Sequence, residues 1–361
     1  MTRVLLAAMR LEAQQLLREK AYVLLTVIAS LGFLALVSMF GLTASDVPMA
    51  LVIDDKGPYT RPFVEALVEV PHAFRLARMT QDEAQGLIAR GDLVGVIRIP
   101  PGFNETIASG DTVPIEVELD NVNVDIVADV QRALPAAIVG FGHKVGFPGL
   151  RAKLVEHDVY RGDTSFLPYI TVSGIGLVAL VIASVLAALA VAREWESRTW
   201  RVWRLSPASS AAVLAGKLAT TALVSLVAVG LTALVVVFAY GAVPAHPAAA
   251  ALGIVVSVLC FTCMGALVGA LVRRPFVLVP LIFGLAMPLY IDSGALEPTR
   301  FDGETLFALA HVTPLYWVVG WLDWAFFDLR ITPEPPWSLL LVTCALGALA
   351  FFGSVRRVAR W

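Results

Sequence analysis

Charge, histidine and cysteine are all scarce in this chain. Only 16% of its 361 residues are charged, five are histidine and three are cysteine. Soluble domains carry about 25% charged residues, so a soluble enzyme or binding domain is excluded at the outset. Cys260, Cys263 and Cys344 all lie within apolar runs, which leaves the polar stretches without a disulfide. Cys260-x-x-Cys263 has no histidine near it and reads as packing rather than as a redox pair or metal site. His72, His143 and His157 are scattered among carboxylates without ligand spacing, so no metal centre is expected. A phosphate loop is missing as well: Gly216-Lys217 lacks the preceding glycine and the following hydroxyl residue. No serine nucleophile elbow and no His-Glu-x-x-His occurs, so no catalytic role is expected and no cofactor is expected on this chain.

What the chain has is apolar length. Hydrophobic residues make up 58% and the mean hydropathy is +0.77. A bilayer core takes about 20 apolar residues as a helix, and six runs qualify: Ala21–Thr43, Phe166–Ala192, Leu218–Val243, Pro247–Val272, Phe276–Ala295 and Trp337–Val355. The one charge inside any of them is Asp292, near the end of the fifth. Proton and sodium relays need ionisable groups in the membrane, so this disfavours an ion-coupled secondary carrier. The first run is too long, and starts too far from the N-terminus, for a cleavable signal; it reads as a retained anchor.

Basic residues near span ends set the orientation. With the N-terminus inside, fourteen basic residues fall on the cytoplasmic face against four acidic ones, Glu12, Glu19, Glu194 and Glu196. Among the basic ones are Arg193, Arg198, Arg201, Arg204, Lys217, Arg273, Arg274, Arg356 and Arg357. They sit at membrane borders, where anchoring explains them, and nothing points to nucleic acid. The expected architecture is an α-helical integral membrane protein of six transmembrane helices, with an extracytoplasmic α/β domain inserted between the first and second spans.

Residues 1–20 form an interfacial helix in this reading, because Leu5, Leu6, Met9, Ala13, Leu16 and Leu17 recur at helical spacing among charged residues. The first span takes 21–43, the insert 44–165, and a five-helix region 166–361. In the insert, Met49–Asp55, Leu93–Pro100 and Pro114–Asp120 are strand-like. Arg61–Val70 and Asn123–Val145 are helical, and Thr80-x-x-Glu83 is a capping box opening a further helix. On a helical wheel from Trp195, Arg198, Arg201 and Arg204 make one basic arc, with Thr199, Trp200, Val202 and Trp203 opposite, ring faces toward the headgroups.

The order Arg193-Glu194-x-Glu196-x-x-Thr199, then Ser206-Pro207, then Gly216-Lys217 resembles the signature of type-2 ABC transporter permeases. That signature reads approximately R-E-x-E-x-G-T-L-E-x-L-L-x-[ST]-P, with Gly-Lys nine residues beyond the proline. The insert segments "VIDD" and "GVIRIPPGFNETIASGD" are similar to the family's too. Three positions depart from the pattern: Arg198 replaces a glycine, Arg201 a glutamate and Arg204 a leucine.

The resemblance implies a permease subunit of an ATP-driven exporter in a prokaryotic inner membrane, both termini cytoplasmic. ATP and magnesium would bind a separate ABC ATPase, and the permease would pair with a second copy or a homologue, among membrane lipids, with a periplasmic adaptor as a further candidate partner. It implies a coupling helix at about 193–210, so that Arg193, Glu194, Glu196, Arg198, Thr199, Arg201, Arg204, Pro207 and Lys217 are candidate ATPase-coupling residues. It also implies a re-entrant exit region at about 292–336, with Asp292, Glu297, Pro314 and Trp317 as candidates. Substrates would be hydrophobic or amphipathic, drugs or lipids. The rival readings are a membrane scaffold that displays the insert, and an ion-coupled carrier.

Overall fold

A computed structural model describes residues 2–18, 24, 28, 32, 47–70, 73–90, 92–120, 124–147, 152–158, 166–205, 209–296, 299 and 304–360. The chain divides into two compact units, Phe40–Phe166 and the combination of Met1–Met39 with Leu167–Trp361. The expected span 21–43 lies almost wholly outside the described residues.

The first unit is a five-stranded sheet with helices on both faces. Its elements are β1 (Val47–Ile53), α2 (Thr60–Glu69), β2 (Phe74–Arg78), α3 (Gln81–Ile88), β3 (Gly95–Ile99), α4 (Phe103–Ser109), β4 (Val113–Leu119), α5 (Val124–Lys144) and β5 (Ala152–Asp158). The order is β2-β1-β3-β4-β5, parallel except between β3 and β4. Side chains alternate along β4, with Ile115, Val117 and Leu119 buried and Glu116 and Glu118 half-exposed, but Asp120, just past its end, is buried where the alternation would expose it. One face packs on α2, α4 and α5 through Phe63, Phe103 and Phe141, whose ring centroids lie 5.3–6.1 Å apart. The other buries Ala50, Val52 and Val96 under Ala84 and Ile88 of α3. The α3 cap is a capping box, Thr80 accepting from the Glu83 backbone N–H and Glu83 from that of Thr80. Behind β1, Asn104 closes the loop: it accepts from Tyr59 N at 2.8 Å and donates to the Thr60 hydroxyl at 3.0 Å.

The second unit opens with α1 (Thr2–Arg18) and continues with α6 (Phe166–Glu196), α7 (Trp200–Leu205), α8 (Ser210–Ala239), α9 (Pro247–Val272), α10 (Pro275–Ile291), α11 (Glu304–Ala310), α12 (Pro314–Phe327) and α13 (Pro336–Ala359). Among the described residues four helices, α6, α8, α9 and α13, are long and apolar enough to cross a membrane, against the six runs expected; the fifth run forms α10, a shorter apolar helix of 17 residues. The most apolar stretch of α6 is entirely buried. A helix that is hydrophobic on all sides is one that is surrounded on all sides, and α6 forms the centre of this unit.

Glycines set how closely its neighbours approach. Gly265 and Gly269 of α9 face the α6 backbone, where a Cβ would stand 2.3 Å from Ser184 O and 2.3 Å from Ala188 O. That four-residue spacing of glycines lets two helix backbones meet, and Ser184 donates to Phe261 O across the crossing at 3.2 Å. A shared apolar cluster joins Ala187 and Val191 of α6, Leu214 and Leu218 of α8, Ala266 and Ala270 of α9, and Val358 of α13. It gathers Arg193, Lys217, Arg273 and Arg357 at one end of the bundle, here called the basic end. At the opposite end α12 is enclosed: all positions from Leu315 to Phe326 except Trp324 are buried.

Candidate functional site

The signature residues converge at the basic end, but not as one surface helix. Helix α6 carries Arg193 and Glu194 on its last turn and stops at Glu196. A turn follows, and α7 begins only at Trp200. The expected single wheel from Trp195 to Arg204 is therefore broken, because Arg198 adopts φ +59° and turns the chain. This is the position where the family signature has glycine, the residue that enters the left-handed region without a Cβ penalty. Arginine here bears that penalty, about 1 kcal/mol. The basic arc is thus divided between a turn and a short helix. The Arg204 side chain and Pro207 lie outside the described residues.

The tryptophans are placed differently from expectation as well. Trp195 and Trp200 stack on each other, centroids 5.5 Å apart and planes 9° apart, rather than presenting their faces to headgroups. The Arg273 guanidinium lies 4.0 Å above the Trp195 ring, and that of Arg201 lies 5.7 Å from the Trp200 centroid. Two indoles between two arginines tie the α6–α7 corner to the C-terminus of α9, with cation–π attraction at each outer face. Arg273 is itself a left-handed C-cap, at φ +60°.

Beneath that corner is a buried ionic cluster. Lys217 is 2% exposed, Glu194 4% and Glu12 1%. Lys217 Nζ donates to Glu194 Oε1 at 2.8 Å and also to Glu12 Oε2. Thr199 donates to the other Glu194 oxygen, and the Ser197 hydroxyl, 2.9 Å from that of Thr199, donates to Arg193 O at 2.7 Å. One ammonium thus joins three segments: α1 through Glu12, the end of α6 through Glu194, and α8, two turns inside its start. Gly216 permits the approach, since a Cβ there would be 2.6 Å from Leu5 O and 2.7 Å from Ala8 Cβ. Thr220 adds a bond to Met9 O at 3.1 Å. The Gly-Lys pair therefore has a plain physical reading: glycine lets α1 reach α8, and lysine holds it there.

Burial dominates the electrostatics of Glu12 and raises its carboxyl above the ordinary 4.5, with Lys217 and, more weakly, Arg193 opposing the shift. Its second oxygen, Oε1, has no partner among the described residues. The second carboxylate, Glu194, adds a smaller push in the same direction as burial.

The candidate coupling residues thus separate into two groups. Glu194 and Lys217 are buried and bonded to each other, with the exposed Thr199 donating to Glu194 from above, whereas Glu196, Arg198 and Arg201 are exposed, as is Leu205 at 88%. Glu12 was not among the residues picked from sequence. It lies on the apolar stripe of α1, about 20° from Leu5 and about 40° from Leu16 at 100° per residue, and a carboxylate on an apolar stripe was the available signal. Of the candidate exit residues, Asp292 caps α10 and is half-buried, and Pro314 opens α12. Trp317 is buried and donates to His311 O at 3.1 Å; Glu297 lies outside the described residues. Glu334 holds this segment together, meeting His311 Nε2 at 2.9 Å and accepting from the Tyr316 hydroxyl at 2.9 Å.

A family model described as ABC-2 family transporter protein matches residues 21–354. No curated protein and no solved structure matches the chain. The match covers nearly the whole sequence, so the chain belongs to the ABC-2 transporter family and is a membrane permease of that family. Such permeases are in general non-catalytic membrane subunits that work with an ABC ATPase subunit.

Proposed function

We propose that this permease is the membrane-spanning half of an ATP-driven exporter, with its ATPase on a separate chain that binds ATP and magnesium and docks on the corner formed by the end of α6 and α7. Residues 44–165 lie outside the cytoplasm in this reading, the basic end and both termini lie inside, and two permease copies or homologues face each other across the pathway. The observation that carries it is the Glu12–Lys217–Glu194 cluster. A push on an exposed corner is useful only if the corner is rigidly joined to the spans. Here the corner is joined through one buried lysine to the start of α8 and to the amphipathic helix α1.

The two groups of signature residues then have two duties. Arg198, Arg201 and Glu196 are the contact face for the ATPase; Glu194, Thr199 and Lys217 transmit its movement. Closure of the ATPase dimer moves the corner, α6 and α8 follow, and an opening forms toward α10–α12 at the opposite end, where Asp292, Glu297, Pro314 and Trp317 belong to the exit. Hydrophobic or amphipathic molecules suit an aliphatic bundle of this kind. The argument against an ion-coupled carrier no longer comes from uncharged helices, because Glu194 and Lys217 are buried in α6 and α8; family membership now carries it.

Co-purification with the partner ATPase is the direct test, with charge reversal at one face residue. Arg201→Glu is expected to weaken ATPase association about tenfold or more, while Trp200→Phe, which keeps an aromatic ring in the stack, changes it little. Equal and small effects, or a purified permease that moves substrate on an ion gradient alone, would overturn the assignment. Substrate is sought by ATPase stimulation in proteoliposomes.

A further inference from the structure

Asp323 is a carboxyl group in the interior of the bundle that the coupling cluster does not use. It lies on α12, is 0% exposed, and is surrounded by positions that are themselves buried. Its contact is with α6, which α12 meets closely: a Cβ on Gly176 of α6 would be 3.2 Å from Leu315 and 3.4 Å from Val318. Asp323 Oδ1 is 3.3 Å from the Ser173 hydroxyl, and Oδ2 has no partner among the described residues.

The hydroxyl hydrogens nearby are committed elsewhere. Tyr169 of α6 donates to Gly294 O at 2.9 Å, Tyr290 of α10 donates to Ile170 O at 3.2 Å, and Ser293 donates to Tyr290 O at 2.7 Å. Ser173 has one hydrogen, and its oxygen is 3.2 Å from Tyr169 O. Charged neighbours do not compensate. From α10, Tyr290 is buried and its hydroxyl is spent on Ile170 O. At the start of α9, His246 stacks on Trp324 and faces Asp328 at 3.5 Å. On α12 itself, Tyr316 bonds Glu334. From α13, Arg356 and Arg357 stand on the last turn, at the basic end. No ion pair to Asp323 is found among the described residues.

An ionised carboxylate so placed would have at most one donor and no counter-ion, a burial costing several kcal/mol. A protonated one fits: its O–H donates to Ser173 Oγ, and Ser173 donates onward to the Tyr169 carbonyl. We infer that Asp323 is a proton-binding site in the contact between α6 and α12, occupied while those helices are packed as seen here and emptied when they part. On separation, water reaches the acid, the O–H bond breaks, the proton passes to water and the carboxylate remains hydrated. Packing of α12 on α6 therefore takes up one proton per chain, and their separation becomes easier as pH rises. The inference does not depend on what drives the separation, ATPase or otherwise.

Infrared spectroscopy of the purified permease in nanodiscs, labelled with carboxyl-13C aspartate, tests occupancy without ATPase or substrate. At neutral pH one protonated-aspartate C=O band is expected, lost in Asp323→Asn. Ser173→Ala, which retains the acid and most of the packing, should move that band as its hydrogen bond is lost; this variant serves if Asp323→Asn does not fold. Spin labels on α6 and α12 test the linkage: the separated population should rise roughly tenfold per pH unit in wild type, as one released proton requires, and stay flat in Asp323→Asn. A band unchanged by both substitutions, or a separation with the same pH dependence in wild type and Asp323→Asn, would overturn the proposal.

Discussion

At the basic end of the bundle two carboxylates, Glu12 and Glu194, share one ammonium, whereas at the opposite end Asp323 has only a serine hydroxyl. All three are less than 5% exposed. The basic end holds its charges by pairing them across three segments, which makes each group indispensable to the others. The opposite end satisfies its acid with a proton, which ties nothing else together. A charge cluster is thus suited to transmitting a push, and a solitary acid to a contact that opens.

The sharpest way to break this contrast is to remove the shared cation. Lys217→Met leaves two buried carboxylates facing each other and should cost about 3–5 kcal/mol, read as a large fall in the thermal midpoint of the detergent-solubilised or nanodisc-embedded permease. Asp323→Leu, by contrast, replaces an acid with an apolar group of similar size and should change the midpoint little. Equal losses in the two variants would mean that the two ends are built alike.

A smaller effect is expected at Glu12. Its carboxyl is raised above 4.5 in the folded protein, so only between that ordinary value and the raised one does the fold hold a proton there that the unfolded chain releases; above it Glu12 is the paired carboxylate. Stability should accordingly fall as pH rises from that ordinary value to the raised one, and level off above it. Glu12→Gln removes this dependence while keeping a partner for Lys217. The difference in midpoint between wild type and Glu12→Gln should then shift against wild type with rising pH; an opposite slope would show that Lys217 outweighs burial. The least expected change is at the corner: Arg198→Gly relieves a left-handed arginine and should alter stability by no more than about 1 kcal/mol. A much larger loss would show that the Arg198 side chain belongs to the cluster below it.

Much of this molecule can be read along the chain, and the misreadings have a common origin. Span α9 begins and ends where hydropathy places it, and β4 alternates as written, because each residue's burial there follows from the local period. Edge strands β2 and β5 carry little apolar signature in the sequence: FRLAR and AKLVEHD are each about half polar or charged. The break at Arg198 was hidden because arginine stands where glycine would have announced a turn. Hydropathy starts the third run at Leu218, but α8 starts at Ser210, and the neighbouring α1 and the end of α6 leave Lys217 2% exposed. Asp323 falls within the exit region expected at about 292–336, yet its helix is among the most enclosed of the described residues.

The sequence by itself determined that the chain is a membrane protein, that four of its apolar runs lie in helices long enough to cross a membrane, and which signature it carries. Those properties are sums over neighbouring residues, and hydrophobic length needs no partner to be recognised. Only the tertiary structure decided which partners the buried charges take. Glu12 and Lys217 are 205 positions apart, and Ser173 and Asp323 are 150 apart. Whether a buried acid finds a lysine or keeps a proton depends on which helices pack beside it.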